Sequence, residues 1–190
     1  MSVTAVWKRF RLPLLFHLMV LPGVATGSQA TIQYTVSLEH REHHLFHVTM
    51  TIPEVKGEVT VQMAAWNALY QIRDFSAHVQ RVEAFVGAEK APMEKVDKQT
   101  WRIQGNGTIT VRYATYWDEI GPFGTQLNAE HAFINPAMIL LYVPDRRAEE
   151  VIVRIPDPPG NWRAAGASAG GLESLGGTRA FAFKAPTYDA

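Results

Sequence analysis

The 190-residue sequence contains no cysteine. Disulfide bonds, thiolate metal sites and cysteine nucleophiles are therefore excluded, and the stability of the fold must come from its core. The chain also lacks an excess of either charge, because 18 basic residues balance 18 acidic residues. A nucleic-acid-binding protein needs a basic footprint, so this neutral composition argues against that class of partner.

Long apolar runs are also missing from the sequence. The longest N-terminal candidate, residues 12–21, is well short of the roughly 20 apolar residues that a membrane-spanning helix needs. Basic residues precede this run, and a stretch of small and polar residues follows it. A charged, an apolar and a small-residue region in this order are typical of a secretory signal peptide.

Ser28 and Ala30 suit the −3 and −1 positions of a signal peptidase site, so cleavage is expected after Ala30. Residues 1–30 are therefore predicted to be a signal peptide, and residues 31–190 the mature domain. We expect the mature protein to be exported, either to the periplasm or to the extracellular space, and to have no membrane span.

The mature sequence is rich in short segments with the two-residue period of β-strands. Residues 31–38 alternate so that the apolar side chains share one face, and Pro53 is expected to end the next strand. Asn106-Gly107 lies between two β-rich runs and predicts a hairpin, because both central residues of such a turn take a positive φ. Residues 166–177 are rich in Gly, Ala and Ser and are predicted to form a loop.

Two further segments are ambiguous. Residues 70–86 favour an irregular turn followed by a strand, and the apolar run 137–143 predicts a buried strand or a short helix. In total, roughly seven to nine mostly antiparallel strands are expected. The predicted fold class is therefore all-β, a single β-sandwich over residues 31–190.

Several segments of the mature chain have a fixed order that resembles a known family. They are Tyr34-Thr-Val-Ser-Leu38 with His44-Leu-Phe-His-Val48, Met63-Ala-Ala-Trp66 with Tyr70-Gln-Ile-Arg-Asp-Phe75, Lys95-Val-Asp-Lys-Gln-Thr-Trp101 with Val111-Arg-Tyr113, Ala132-Phe-Ile-Asn135, and Phe183-Lys-Ala-Pro-Thr-Tyr-Asp189. The ordered set resembles the N-terminal domain of the peptidase M61 (glycyl aminopeptidase-like) family. One departure is Asn67-Ala68-Leu69, which replaces the Pro-Gly turn of the family.

In the M61 family, a zinc catalytic domain with a His-Glu-x-x-His helix follows this β-domain, and the present sequence has no such motif. The resemblance therefore implies an exported, non-catalytic accessory or binding domain without a cofactor, or a truncated peptidase. Its implied partner is a peptidase catalytic domain or a protein or peptide ligand. The alternative hypothesis is an exported β-sandwich that binds carbohydrate or peptide.

A cluster of histidines, at positions 40, 43, 44 and 47, is the one candidate metal site, because zinc accepts imidazole ligands. If the segment is a strand, His43 and His47 lie about 13 Å apart. Asp118-Glu119 and Glu130-His131 are polar pairs on expected loops, and adjacent residues of a strand would point to opposite faces. We therefore predict no metal site and no catalytic residue.

Binding residues are predicted in two segments, 66–75 and 121–135, which we expect to form a functional face at one end of the sandwich. Arg73 and Asp74 are either a functional ion pair or a turn in which Asp74 caps backbone donors. The aromatic residues either form an exposed patch or plug the core. The candidate binding residues are Trp66, Tyr70, Arg73, Asp74, Phe123 and Asn135.

Overall fold

The computed structural model describes residues 31–66, 72–121, 124–166 and 169–190. Within these ranges nearly all regular structure is β. The strands are β1 (Ile32–Ser37), β2 (Leu45–Val55), β3 (Glu58–Met63), β4 (Val79–Val86), β5 (Glu89–Lys90), β6 (Met93–Lys95), β7 (Thr100–Gln104), β8 (Gly107–Tyr116), β9 (Asp118–Glu119), β10 (Thr125–Leu127), β11 (Ala132–Phe133), β12 (Leu141–Tyr142), β13 (Val151–Pro156), β14 (Ala169–Leu175) and β15 (Thr178–Ala185). The helix α1 spans Pro136–Ile139, and short 3-10 helices span Arg41–His43, Phe75–His78 and Pro144–Arg146.

The described strands form two main sheets and one small sheet. The large sheet has the order β14-β15-β13-β1-β2-β8-β4-β5, the second sheet β12-β3-β7-β6, and the small sheet β11-β10-β9. The neighbouring strands β1 and β13 run parallel, and the other pairs in the described chain are antiparallel. The prediction of an all-β sandwich with mostly antiparallel strands is confirmed.

The hydrophobic core lies between the two main sheets. In β1 the alternation that the sequence predicts is present, with Ile32, Tyr34 and Val36 buried and the intervening residues more exposed. Strand β2 buries every second residue from Phe46, and β3 does the same from Val59. Each large apolar side chain that leaves water in this way contributes about 1.5–3 kcal/mol, so the facing strands hold the sheets together.

Three tyrosine hydroxyls tie the large sheet and the C-terminus to the backbone around α1 and β12. Tyr34 donates to the carbonyl of Leu141 at 2.7 Å, and Tyr188 donates to the carbonyl of Leu140 at 2.8 Å. Tyr113 makes two bonds, because it donates to the Ile139 carbonyl at 2.8 Å and accepts from the Leu141 N–H at 2.9 Å. The bonds of Tyr34 and Tyr113 are buried and satisfy backbone groups that water does not reach, whereas the Tyr188 bond is only partly buried.

The hairpin predicted at Asn106-Gly107 is wrong. Strand β7 pairs with β3 and β6, whereas β8 pairs with β2 and β4, so this turn carries the chain from one sheet to the other. The turn between β2 and β3 crosses in the same place, and the Gly57 N–H donates to Asn106 Oδ1 at 2.9 Å. Gly57 and Gly107 both have positive φ. Both glycines therefore lie in turns that carry the chain from one sheet of the sandwich to the other.

The prediction that Pro53 ends its strand is also wrong. Strand β2 continues to Val55, and its pairing with β8 shifts register between Ile52 and Val55. Pro53 has no N–H to offer a ladder, and a bulge is one of the places where a sheet tolerates this. Glu54 in the same bulge has a φ of 60°.

The segment predicted as a loop, residues 166–177, contains strand β14, so that prediction is wrong as well. Gly170 pairs with Phe183, and a Cβ atom on Gly170 would lie 2.4 Å from a ring carbon of Phe183. The aromatic ring therefore occupies the space beside this glycine, as in strands where an aromatic neighbour compensates for glycine.

The segments 70–86 and 137–143, whose sequence patterns are ambiguous, take structures that those patterns allow. From residue 72 the described chain forms a short irregular stretch, the 3-10 helix Phe75–His78 and then β4. The apolar run 137–143 forms most of α1 followed by β12. None of the helices in the described ranges is long and apolar enough to cross a membrane.

Candidate functional site

At one end of the sandwich, the corner end, the turns that follow β2 and β7 carry the chain from one sheet to the other. We call the opposite end the open end. Strand β3 leaves the corner and finishes at Met63, beside Leu141. Strand β8 finishes at Tyr116, beside Leu45. The open end therefore comprises residues 63–66, 72–79, 116–121 and 124–141, and the described parts of both predicted binding segments lie there. The binding role of this end stays a prediction.

Among the six candidate binding residues, Tyr70 and Phe123 lie outside the described residues. Trp66 is 59% exposed. Its neighbourhood is tied to the following segment by the Arg73 N–H, which donates to the carbonyl of Ala65 at 2.7 Å. Trp66 and Arg73 therefore lie on adjacent stretches of chain.

Asp74 pairs with Ser76 and Lys98. The Ser76 hydroxyl donates to Asp74 Oδ1 at 2.7 Å, and Lys98 Nζ lies 3.4 Å from Asp74 Oδ2. The hydrogen bond from Ser76, followed by the Lys98 ammonium, lowers the pKa of the Asp74 carboxyl. No ion pair joins Asp74 to Arg73, and the side chain does not cap the backbone of the 3-10 helix. The two interpretations of Arg73 and Asp74, an ion pair and a cap on backbone donors, are therefore wrong, because the Asp74 carboxylate binds Ser76 and Lys98 instead.

Asn135 has a structural task at the open end. Its side-chain oxygen accepts from the Ala137 N–H at 3.3 Å and so caps α1. Its own N–H donates to the buried Thr125 hydroxyl oxygen at 3.1 Å. These bonds fix the approach of β11 to α1 and account for an asparagine at this position.

A buried aromatic stack anchors the segments of the open end. The His78 ring stacks on the buried Trp117 ring with centroids 3.7 Å apart and planes 13° apart. Phe75 meets the same ring edge-on at 6.0 Å. Since Phe75 ends the first predicted segment, His78 follows it and Trp117 precedes the second, this stack joins the two segments.

A polar chain beside this stack was not found from the sequence. Gln126 donates its amide hydrogen to Asp118 Oδ1 at 2.8 Å, and its amide oxygen lies 2.8 Å from His131 Nε2. On the other side His44 Nδ1 lies 2.6 Å from the Leu127 carbonyl and 3.6 Å from Asp118 Oδ1. The sequence shows these residues as separate pairs, and only the sheet β9-β10-β11 brings them together.

Large apolar side chains are exposed at the same end. The exposed fractions are 59% for Trp66, 85% for Ile72, 80% for Ile120 and 50% for Phe133. The interpretation that these aromatic residues plug the core is therefore wrong for Trp66 and Phe133. Exposed groups of this size, gathered at one end of a sandwich, are typical of a contact surface.

The histidine cluster does not lie on one strand. Residues Arg41–His43 form a 3-10 helix, and β2 begins only at Leu45, because His40 and His44 take left-handed backbone conformations. Within the described ranges no three metal-ligating side chains come together. The absence of zinc in the protein nevertheless stays a prediction.

Two clefts lie away from the predicted residues. The larger, of about 380 Å³, is walled by Trp162, Phe181 and Phe183 next to β14. The smaller, of about 240 Å³, lies on the large sheet. Neither is lined by the described candidates Trp66, Arg73, Asp74 and Asn135.

The fold and the open end together define a β-sandwich module with its loops gathered at one end. The model of the peptidase M61 N-terminal domain matches residues 33–190, and the chain belongs to this family. The resemblance stated from the sequence is thereby confirmed. A comparison with curated protein sequences gives no match.

One solved structure shows the same fold. The aminopeptidase N family protein of Idiomarina loihiensis is similar over 84% of this chain, with 24% identity and a TM-score of 0.76. This chain covers 28% of that protein. The M1 zinc metallopeptidase of Deinococcus radiodurans is similar over 81% of the chain, with 14% identity and a TM-score of 0.41, and the chain covers 37% of it. The chain thus spans well under half of each protein.

Proposed function

We propose that this chain is an exported, non-catalytic accessory domain that docks on the zinc catalytic domain of an M61-type peptidase. The observation that carries the proposal is the family match over residues 33–190, which is nearly the whole of the predicted mature domain. The catalytic partner either continues the same polypeptide or is a separate chain. The comparisons lend no support to the alternative hypothesis of a carbohydrate- or peptide-binding sandwich.

The open end is the proposed docking face. Trp66, Ile72, Ile120 and Phe133 are each at least half exposed there, and a partner that covers them would remove apolar surface from water. The stretches that carry Ile72 and Ile120 are joined by the packing of Phe75 and His78 against the buried Trp117 ring. A face with rigid support loses little conformational entropy when it binds.

Docking is tested with the mature chain and a His-Glu-x-x-His catalytic domain encoded by the same genome. Binding is measured by calorimetry for the parent and for Ile72→Ser and Phe133→Ser variants. Leu172→Ser is the matched control, because Leu172 is 62% exposed on β14, outside the open end. We expect the first two variants to bind at least about tenfold more weakly, which corresponds to about 1.4 kcal/mol. Equal losses in all three variants would refute the proposed face.

Export and lack of catalysis are tested separately. We expect the secreted protein to begin at or near Thr31 when its N-terminus is sequenced. We also expect it to hydrolyse no aminoacyl substrate and to hold no stoichiometric zinc, since a hydrolytic zinc site needs about three protein ligands around an open position. One tightly held zinc per chain in elemental analysis, together with hydrolysis, would overturn the non-catalytic part.

A further inference from the structure

The smaller cleft lies on the outer face of the large sheet, which points away from the core. It crosses the adjacent strands β1, β2, β8 and β4. The residues that alternate with its lining positions, such as Val36, Met50 and Val111, are buried in the core. Six lining residues matter here: Thr35, His47, Thr49, Arg81, Arg112 and Ala114.

The floor of the cleft is Ala114. Its cross-strand partners are His47 on β2 and Gln80 on β4. Ala114 is only 4% exposed although it faces outwards and is not a member of the hydrophobic core. Longer side chains around a small residue therefore enclose it, and this difference in length forms the concavity.

Arg81 reaches the cleft from a strained position. The pairing of β4 with β8 shifts register between Gln80 and Glu83, which makes a bulge, and Arg81 has a φ of 53° within it. Bulges redirect side chains, and they occur next to functional sites. A residue other than glycine is strained in this conformation, and such strain concentrates at functional sites.

The two guanidinium groups of the cleft, those of Arg81 and Arg112, form no salt bridge within the described chain. Glu83 is the cross-strand partner of Arg112, and its carboxylate binds Lys90 Nζ at 2.8 Å. Lys90 first, and the more distant Arg112 charge after it, lower the pKa of the Glu83 carboxyl, so Arg112 has one acidic neighbour without a direct salt bridge. The Arg112 guanidinium instead lies 5.0 Å from the centre of the Phe85 ring, a contact that holds it without consuming its hydrogen-bond donors.

We propose that this cleft binds a phosphate-class oxyanion through Arg81 and Arg112, with His47, Thr35 and Thr49 as further polar contacts. Guanidinium groups recognise phosphate and carboxylate oxygens in pairs. Two guanidiniums and two hydroxyls offer more donors than one carboxylate can accept, whereas a phosphate presents three free oxygens and nearly two charges. The cleft does not overlap the proposed docking face, so this inference is independent of it.

The first test is calorimetric titration of the mature chain with inorganic phosphate at constant ionic strength, with chloride as the reference. We expect saturable binding of one phosphate per chain. Arg81→Gly is the sharpest variant, because glycine adopts the positive φ without strain. It should bind phosphate at least about tenfold more weakly and unfold at no lower temperature than the parent. Arg112→Ala should also weaken binding about tenfold.

Arg163→Ala is the matched control, because it removes one exposed arginine that lines the other cleft. Its phosphate affinity should stay within about twofold of the parent. Vesicles of phosphatidylcholine with phosphatidic acid distinguish the source of the anion. Arg81-dependent binding to these vesicles without binding of free phosphate would assign the site to a lipid headgroup. The proposal is overturned if neither probe binds saturably, or if Arg81→Gly and Arg163→Ala behave alike.

Discussion

The tyrosine hydroxyls around α1 and β12 permit a graded test of how the sandwich is held together. Replacement of Tyr113 by Phe keeps the ring and removes one oxygen that serves two backbone groups, the Ile139 carbonyl and the Leu141 N–H. Replacement of Tyr34 removes a single bond, to the Leu141 carbonyl. Both side chains are buried, so water cannot easily replace the lost partner.

Each buried polar group that loses its partner costs about 1–3 kcal/mol. Tyr113→Phe should therefore lower the free energy of unfolding by about 2–6 kcal/mol, and Tyr34→Phe by about 1–3 kcal/mol. Tyr188 is half-buried, and water can reach its partner more readily. We expect Tyr188→Phe to cost about 0.5–1.5 kcal/mol, the net value of an ordinary hydrogen bond.

The assay is urea unfolding of the mature chain, followed by tryptophan fluorescence. With a slope of about 2 kcal/mol per molar urea, Tyr113→Phe should lower the midpoint by about 1–3 M. The predicted order of the losses is Tyr113, then Tyr34, then Tyr188. A Tyr113→Phe midpoint equal to or above that of Tyr34→Phe would refute the reasoning, because the number of bonds would then not determine the loss.

Three further predictions concern other parts of the sandwich. Burial raises the folded-state pKa of Tyr34 and Tyr113, so the stability that their neutral forms contribute is complete below the unfolded value of about 10 and is lost as pH rises above it. Circular dichroism should show alkaline unfolding that begins above about pH 10 and is weaker in the double Phe variant. Gly124→Ala should cost at least about 2 kcal/mol in urea unfolding, since its Cβ would meet a backbone oxygen of β9, whereas Gly160→Ala should be nearly neutral, having open space. Trp66→Ser should change the free energy of unfolding by less than about 0.5 kcal/mol, because this ring is mostly exposed, and it should weaken docking in the calorimetric assay.

The core positions of β1 could be predicted from the sequence, because a strand that buries one face has apolar residues at every second position. Ile32, Tyr34 and Val36 alternate with polar residues, and any sandwich that buries one face must keep that alternation. The family could likewise be found from ordered segments. Both signals are local, so they survive in a single sequence.

The errors arose where the outcome depends on distant partners. Asn106-Gly107 forms a turn, but whether the flanking strands pair with each other is decided by β2, β3 and β4. The glycines of β14 weaken a strand on their own, and Phe183 on β15 compensates for Gly170. The Asp74 carboxylate pairs with Lys98, a contact that the spacing of the two residues in the sequence does not predict.

The position of β1 in the large sheet also sets the order in which the protein can fold. The strand β1 lies between β2, which follows it directly, and β13, which comes far later in the sequence. Pairing of segments so far apart must close a long loop before it gains contacts, and such pairing is intrinsically slow. The large sheet is therefore incomplete until β13 and β15 are available. On the proposed export route, the β1–β13 pair could form only after both strands had crossed the membrane.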